Sequence, residues 1–155
     1  SKLPTQDGLL PDRLMVLWPF SDARDPRFGV GRQFITLRQD PHNSDAFEVG
    51  LNASAGWTAF WRRGQLLVKC FTYDPRAAYP DYGCSVEMYT CAQWLELETL
   101  GPLTLLAPGE SVEHTEHWHL FEEVPEPDPD DEESIRRGIC PCAERALARR
   151  SELAD

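Results

Sequence analysis

Nine short β-prone runs follow one another between Leu14 and Phe121 with little more than a turn between them, and this rhythm leaves few architectures open. They are Leu14–Trp18, Gln33–Arg38, Phe47–Leu51, Trp57–Arg62, Gln65–Tyr73, Ser85–Cys91, Trp94–Leu100, Leu103–Leu106 and Ser111–Phe121. Turn chemistry separates them, as in Asp40-Pro41-His42-Asn43, Arg63-Gly64, Pro80-Asp81-Tyr82-Gly83 and Pro108-Gly109. Strands this short and this evenly spaced predict an all-β antiparallel sandwich or barrel. The clearest pair is Trp57–Trp61 with Leu66–Phe71, joined across Arg63-Gly64, where glycine supplies the positive φ of a tight hairpin. Phe28-Gly29-Val30-Gly31 has two glycines but lacks the third of a phosphate-binding loop, and reads as a turn.

The pattern changes after Phe121. Glu122–Glu133 carries eight acids, three prolines and no base, a composition that repels itself and cannot bury a core. It divides the chain into a β-sandwich domain over residues 1–124, an acidic linker over 125–133 and a C-terminal helical tail over 134–155. Within the tail Ile139, Ala143, Ala146 and Leu147 fall near helical spacing, and Pro141 suits a first helical turn. Its five arginines between Arg136 and Arg150 allow it to fold back on the acidic run or dock on the body.

At 155 residues, 41% of them hydrophobic, the chain can bury one real core. A formal charge of -11 disfavours nucleic acid as a partner, because phosphate affinity depends on Lys and Arg. No stretch reaches the ~18 apolar residues of a membrane span, and Ser1–Asp12 lacks the basic and apolar blocks of a signal peptide. The expectation is a soluble, by default cytoplasmic, protein with no membrane partner and no cofactor. The five cysteines, Cys70, Cys84, Cys91, Cys140 and Cys142, do not have the spacing of a disulfide scaffold, and Cys140-Pro141-Cys142 has no second pair to complete a zinc set.

Chemistry concentrates in Trp94–Leu120. Glu96 and Glu98 lie two residues apart, so on a strand both carboxylates share one face while Leu95 and Leu97 take the other. Such a pair either faces water or lines a site. Lys69 falls on a face with Leu67 and Phe71, and reads either as an amphipathic stem reaching water or as a cation in a site. Arg27 in Asp25-Pro26-Arg27 and Glu87 in Ser85-Val86-Glu87-Met88 are candidates to bind hydroxyls, against a turn ion pair and a solvated strand position. Trp94 and Trp118 are the aromatic candidates to contact a ligand. His117 and His119 share a strand face with Glu123 four residues on, an alternative cupin-like metal set. No Ser sits in a Gly-x-Ser-x-Gly elbow.

Leu97-Glu98-Thr99, followed by Leu105-Leu106-Ala107-Pro108-Gly109-Glu110 and Glu116-His117-Trp118-His119-Leu120-Phe121, resembles the C-terminal strands of galactose mutarotase (aldose 1-epimerase). With Leu17-Trp18-Pro19-Phe20, Asp25-Pro26-Arg27, Tyr79-Pro80-Asp81-Tyr82-Gly83-Cys84 and Leu100-Gly101-Pro102-Leu103, the pattern is similar to the DUF4380 family, assigned to the mutarotase-like supersandwich. The resemblance covers roughly residues 9–124. It implies the C-terminal half of a supersandwich, completed by an N-terminal segment or a second chain, since open edge strands tend to associate. It also implies a small carbohydrate as partner and Glu98 as the general base that takes the anomeric hydroxyl proton. The general acid of mutarotases is a His on an earlier strand, whereas the only His before Glu98 here is His42, in a turn unlike the family's. That acid is therefore expected in a preceding segment, in another residue, or not at all, the last leaving a sugar binder without turnover. A third expectation is a non-catalytic assembly module whose Trp57–Trp61 hairpin pairs with another chain.

Overall fold

The structure, a computed structural model, describes residues 9–152. In chain order its elements are β1 (Met15–Leu17), β2 (Phe28–Val30), β3 (Ile35–Leu37), β4 (Phe47–Leu51), β5 (Trp57–Arg62), β6 (Gln65–Cys70), β7 (Val86–Thr90), β8 (Leu95–Thr99), β9 (His117–Phe121), α1 (Glu132–Gly138) and α2 (Cys140–Glu152). The fold is mainly β and sandwich-like, with a C-terminal helical segment. One sheet has four strands in the order β1-β4-β7-β8, another three in the order β5-β6-β9, and β2 pairs with β3 alone. Every pairing is antiparallel.

Two apolar clusters follow from strand alternation. Phe47 and Val49 of β4 and Val86 and Met88 of β7 point inward, where Phe71 and the β2–β3 hairpin residues Phe28, Ile35 and Leu37 cover them. In the other sheet Leu66, Val68 and Cys70 of β6 project to the opposite side and meet Ile135, Ile139, Cys142, Ala143 and Ala146 of the helical segment. Phe71, the residue after β6, enters the first cluster, so this one stretch of chain supplies both. Small residues of α2 allow the helix to approach the sheet, and Ala146 is fully buried. The helices thus dock on the body through apolar packing rather than exposed ion pairs.

The β5–β6 hairpin forms as its sequence predicts. Arg62 pairs with Gln65, and Arg63 (φ 50°) and Gly64 (φ 83°) both take the left-handed backbone that fits the twist of a two-residue turn.

Three local expectations need correction. Phe28-Gly29-Val30 is strand β2, not a turn: Gly29 lies opposite Thr36, whose hydroxyl occupies the space a Cβ at Gly29 would take. Leu103–Leu106 and Ser111–Glu116 form no strand. Their apolar side chains, including Leu103, Leu105 and Val112, stay exposed, because alternation without a neighbouring strand leaves nothing to pair with. Finally, the acidic run is not wholly a solvated linker. Asp131 caps α1 by accepting from the Glu133 amide at 3.0 Å. The Glu132 carboxylate accepts from the Gln33 and Phe34 amides at 2.7 and 3.1 Å, fastening the run to the β2–β3 turn. No helix of the described residues is long and apolar enough to cross a membrane.

Candidate functional site

The inward row Leu17–Val49–Met88–Leu97 fixes what must appear on the other face of the four-stranded sheet. Register places Glu48 opposite Tyr89 and Tyr89 opposite Glu96, and in the next row Gly50 opposite Glu87 and Glu87 opposite Glu98. Four carboxyl groups from three adjacent strands therefore share one face. Directly opposed side chains in such a sheet have Cβ atoms ~4.5–5.5 Å apart, and like charges there repel.

Glu87 is the innermost of the four. It is only 6% exposed, although its cross-strand neighbours, Gly50 and Glu98, differ in size from no side chain to a full glutamate. The gap over Gly50 is taken by Cys84 and the Trp18 ring, so a Cβ there would strike the Cys84 sulfur. Asp81 is brought up by a tight turn in which the Gly83 and Cys84 amides both donate to the Pro80 carbonyl at 2.8 and 2.9 Å. Asp81 and Tyr82 hold left-handed φ values of 48° and 64° in that turn. Burial, then Asp81 with its contact, then Glu48 and Glu98, push the Glu87 carboxyl up to about 7. Its Oε1 is buried and has no hydrogen-bond partner.

Its neighbours respond in the same direction. Burial and the charges of Glu98, Glu96 and Asp81 raise Glu48. Burial and the contact with Glu96 raise Glu98, with Lys69 opposing. Aromatic rings edge the same face: Tyr89 lies 6.5 Å from Phe20 in a T-shaped pair and 6.3 Å from Trp94. The Trp94 indole N–H donates to the Glu96 carboxylate at 2.7 Å. Phe20 and Trp94 are each half exposed, so the edge of this face is open to a flat apolar ring.

A second constellation abuts it. From the face of β6 opposite the helices, Lys69 donates to the Leu97 carbonyl at the free edge of β8 and pairs with Glu116, each at 2.8 Å. Glu116 also accepts from Thr99 at 2.5 Å and from the Trp118 indole at 2.6 Å. Burial raises the Glu116 carboxyl, but the bonds from Lys69, Thr99 and Trp118 outweigh it and hold the group below its ordinary value. The Lys69 ammonium lies 5.2 Å from the Trp118 ring centre. Its ammonium is largely shut off from water, contrary to the amphipathic-stem reading, because the Leu97 carbonyl of the other sheet and the Glu116 carboxylate beside β9 take it up.

No protein-family model, curated protein or solved structure matches this chain.

Of the residues singled out from sequence, Glu96, Glu98, Glu87 and Trp94 come together on one face, and Lys69 and Trp118 adjoin it. Glu87 is not the solvated strand position expected of an isolated strand glutamate; three neighbouring elements enclose it. Arg27 stands apart as a buried turn pair, bonded to Asp25 at 2.7 Å and to the Asp45 carbonyl at 2.8 Å. His117 and His119 pair with Cys70 and Val68 on the helix-facing side of β9, where burial, then Arg149 and His117, depress His119. Glu123 begins the chain's departure from that strand with φ 57°. Among the described residues no group of three or more His, Cys, Asp or Glu side chains is arranged to hold a metal ion.

Glu48, Tyr89, Phe20, Asp81 and Glu116 join this region without being singled out by the sequence pattern. Strand alternation in Phe47-Glu48-Val49 carried a signal for Glu48, whose neighbours are both apolar. Nothing in the sequence indicated which strand would lie beside it.

Proposed function

We propose that the carboxylate face of the four-stranded sheet binds a small carbohydrate, with Glu98 as the proton acceptor of an aldose anomer interconversion. The observation that carries the reading is the exposed Glu96–Glu98 pair beside the exposed Trp94 ring. Carboxylates accept two hydroxyl hydrogen bonds at once, and an indole face stacks on the apolar side of a sugar ring. Glu98 suits the acceptor role, being exposed on that face, with the nearby Lys69 charge opposing the rise that burial and Glu96 impose on its carboxyl. The resemblance of Leu97-Glu98-Thr99 to the mutarotase base strand points to the same residue.

Ligand-observed NMR with neutral and phosphorylated aldoses at millimolar concentration tests binding, and exchange spectroscopy between α and β anomers tests turnover. The expected result is saturation transfer from at least one aldose, lost in Trp94→Ala. Absence of binding by every sugar of the panel would overturn the proposal.

A further inference from the structure

An anomer interconversion needs two proton-handling groups, and the mutarotase resemblance supplies only one, Glu98. The acceptor removes a proton from the anomeric O1 while a donor protonates the ring O5 as the C1–O5 bond breaks. Both oxygens are bonded to the same carbon, so the two protein groups must be near neighbours on one surface. The described histidines do not meet this requirement. His42 sits exposed in the turn before β4. His114 bonds Thr99, one residue from Glu98 and so on the other face of β8, at 2.8 Å, and His117 and His119 lie on the far side of the other sheet.

The cross-strand pairing of β7 with β8 supplies the arrangement. We infer that Glu87, directly opposite Glu98 on the same face, is the proton donor to the ring oxygen, so that the site works with two carboxyl groups on adjacent strands. This rests on the carbohydrate reading above and names the residue that reading leaves vacant.

Two independent features of the site support it. Register fixes Glu87 and Glu98 side by side. Glu87 is 94% buried, by its 6% exposure, and one of its carboxyl oxygens is buried without a hydrogen-bond partner. A buried polar atom without a partner is costly, and a catalytic role is one reason for a fold to keep it. The two carboxyls also differ in environment as an acid and base pair should. Glu98 is exposed and has Lys69 nearby, whereas Glu87 faces Asp81 and Cys84 from the preceding loop, Glu48 from β4 and Glu98 from β8, with no cation among the groups acting on it. Glu87 thus keeps its proton to about neutral pH.

The cycle balances without a co-reactant. Glu98 takes the O1 proton, the O1 electrons form the aldehyde, C1–O5 breaks, and O5 receives the Glu87 proton. After rotation about C1–C2, Glu87 takes the O5 proton back as that oxygen attacks the other face of C1, and Glu98 returns its proton to O1.

The test measures α-to-β exchange with the full chain, on an aldose found to bind, for wild type, Glu87→Gln, Glu87→Asp and Glu98→Gln. Folding of each is checked by circular dichroism. A proton donor is worth ~10²–10⁴-fold, so Glu87→Gln lowers kcat about a hundredfold or more, with KM changed less than about threefold. Glu87→Asp retains part of the rate, and the fall in wild-type kcat as pH rises past about 7 disappears in Glu87→Gln. Full activity in Glu87→Gln beside an inactive Glu98→Gln would overturn the assignment and leave the carbohydrate reading standing. Sugar binding without any exchange would overturn the assignment and Glu98 as acceptor, leaving binding alone, and no sugar binding would overturn all three.

Discussion

Lys69 and Glu116 form an ion pair of 2.8 Å in which the lysine side chain is 10% and the glutamate 21% exposed. Lys69 also holds the Leu97 carbonyl, so this one side chain joins the three-stranded sheet to the edge of the four-stranded sheet. Removing one partner of an enclosed pair leaves the other charge without compensation. Lys69→Met is therefore expected to destabilise the fold by about 3 kcal/mol in urea titration, and Lys69→Met with Glu116→Leu to recover most of that loss. Equal loss in the single and double variants would show that the pair does not act as a unit.

The same pair sets an acid limit. Glu116 is held below its ordinary value, so the stability it contributes is present above the unfolded carboxylate pKa and is lost as pH falls through the lower folded one. Thermal melts of wild type and Glu116→Gln should converge as pH drops below about 4 and diverge toward neutrality.

Glu87 has the opposite sign. Its folded value is raised from 4.5 to about 7, so between those pH values the folded chain holds a proton that the unfolded chain has released. Stability from this group is full below the lower value and declines as pH rises to the upper one. Glu87→Gln is expected to be more stable than wild type at pH 8, by ~1–3 kcal/mol, and nearly equal at pH 4. A variant destabilised at pH 8 would contradict the enclosure described for this carboxyl.

Gly50 owes its place to what lies over it. A Cβ there collides with the Cys84 sulfur and comes within 3.3 Å of the Trp18 ring. Gly50→Ala should cost ~1–3 kcal/mol by overpacking, and Cys84→Ala should relieve part of it in a double-mutant cycle. Additive melting shifts would place the strain elsewhere.

Glu132 fastens the acidic run to the β2–β3 turn through two backbone amides. In Glu132→Ala, hydrogen exchange at the Gln33 and Phe34 amides is expected to accelerate, while the β5–β6 amides keep their protection. Unchanged exchange at both would show that the clamp does not hold in solution.

The strands that the sequence made legible are those whose signals are local. Phe47–Leu51 and Trp57–Arg62 keep their predicted limits because alternation and turn residues within a few positions suffice to define them. Leu103–Leu106 has the same apolar character but no partner strand beside it, and partnership is a long-range property. Gly29 illustrates the reverse: its missing side chain reads as a turn until Thr36 is seen across from it.

At the site the division is similar. Period-two geometry alone put Glu96 and Glu98 on one face, and a two-residue turn alone joined β5 to β6. Only tertiary structure decided that Glu87 and Glu48 share the face of Glu98, that Lys69 spends its charge on Glu116 and a β8 carbonyl, and that Arg27 closes a turn elsewhere. Alternation depends on neighbours in the chain, whereas cross-strand register and burial depend on residues tens of positions away, whose packing sets both the distance between charges and the solvent around them.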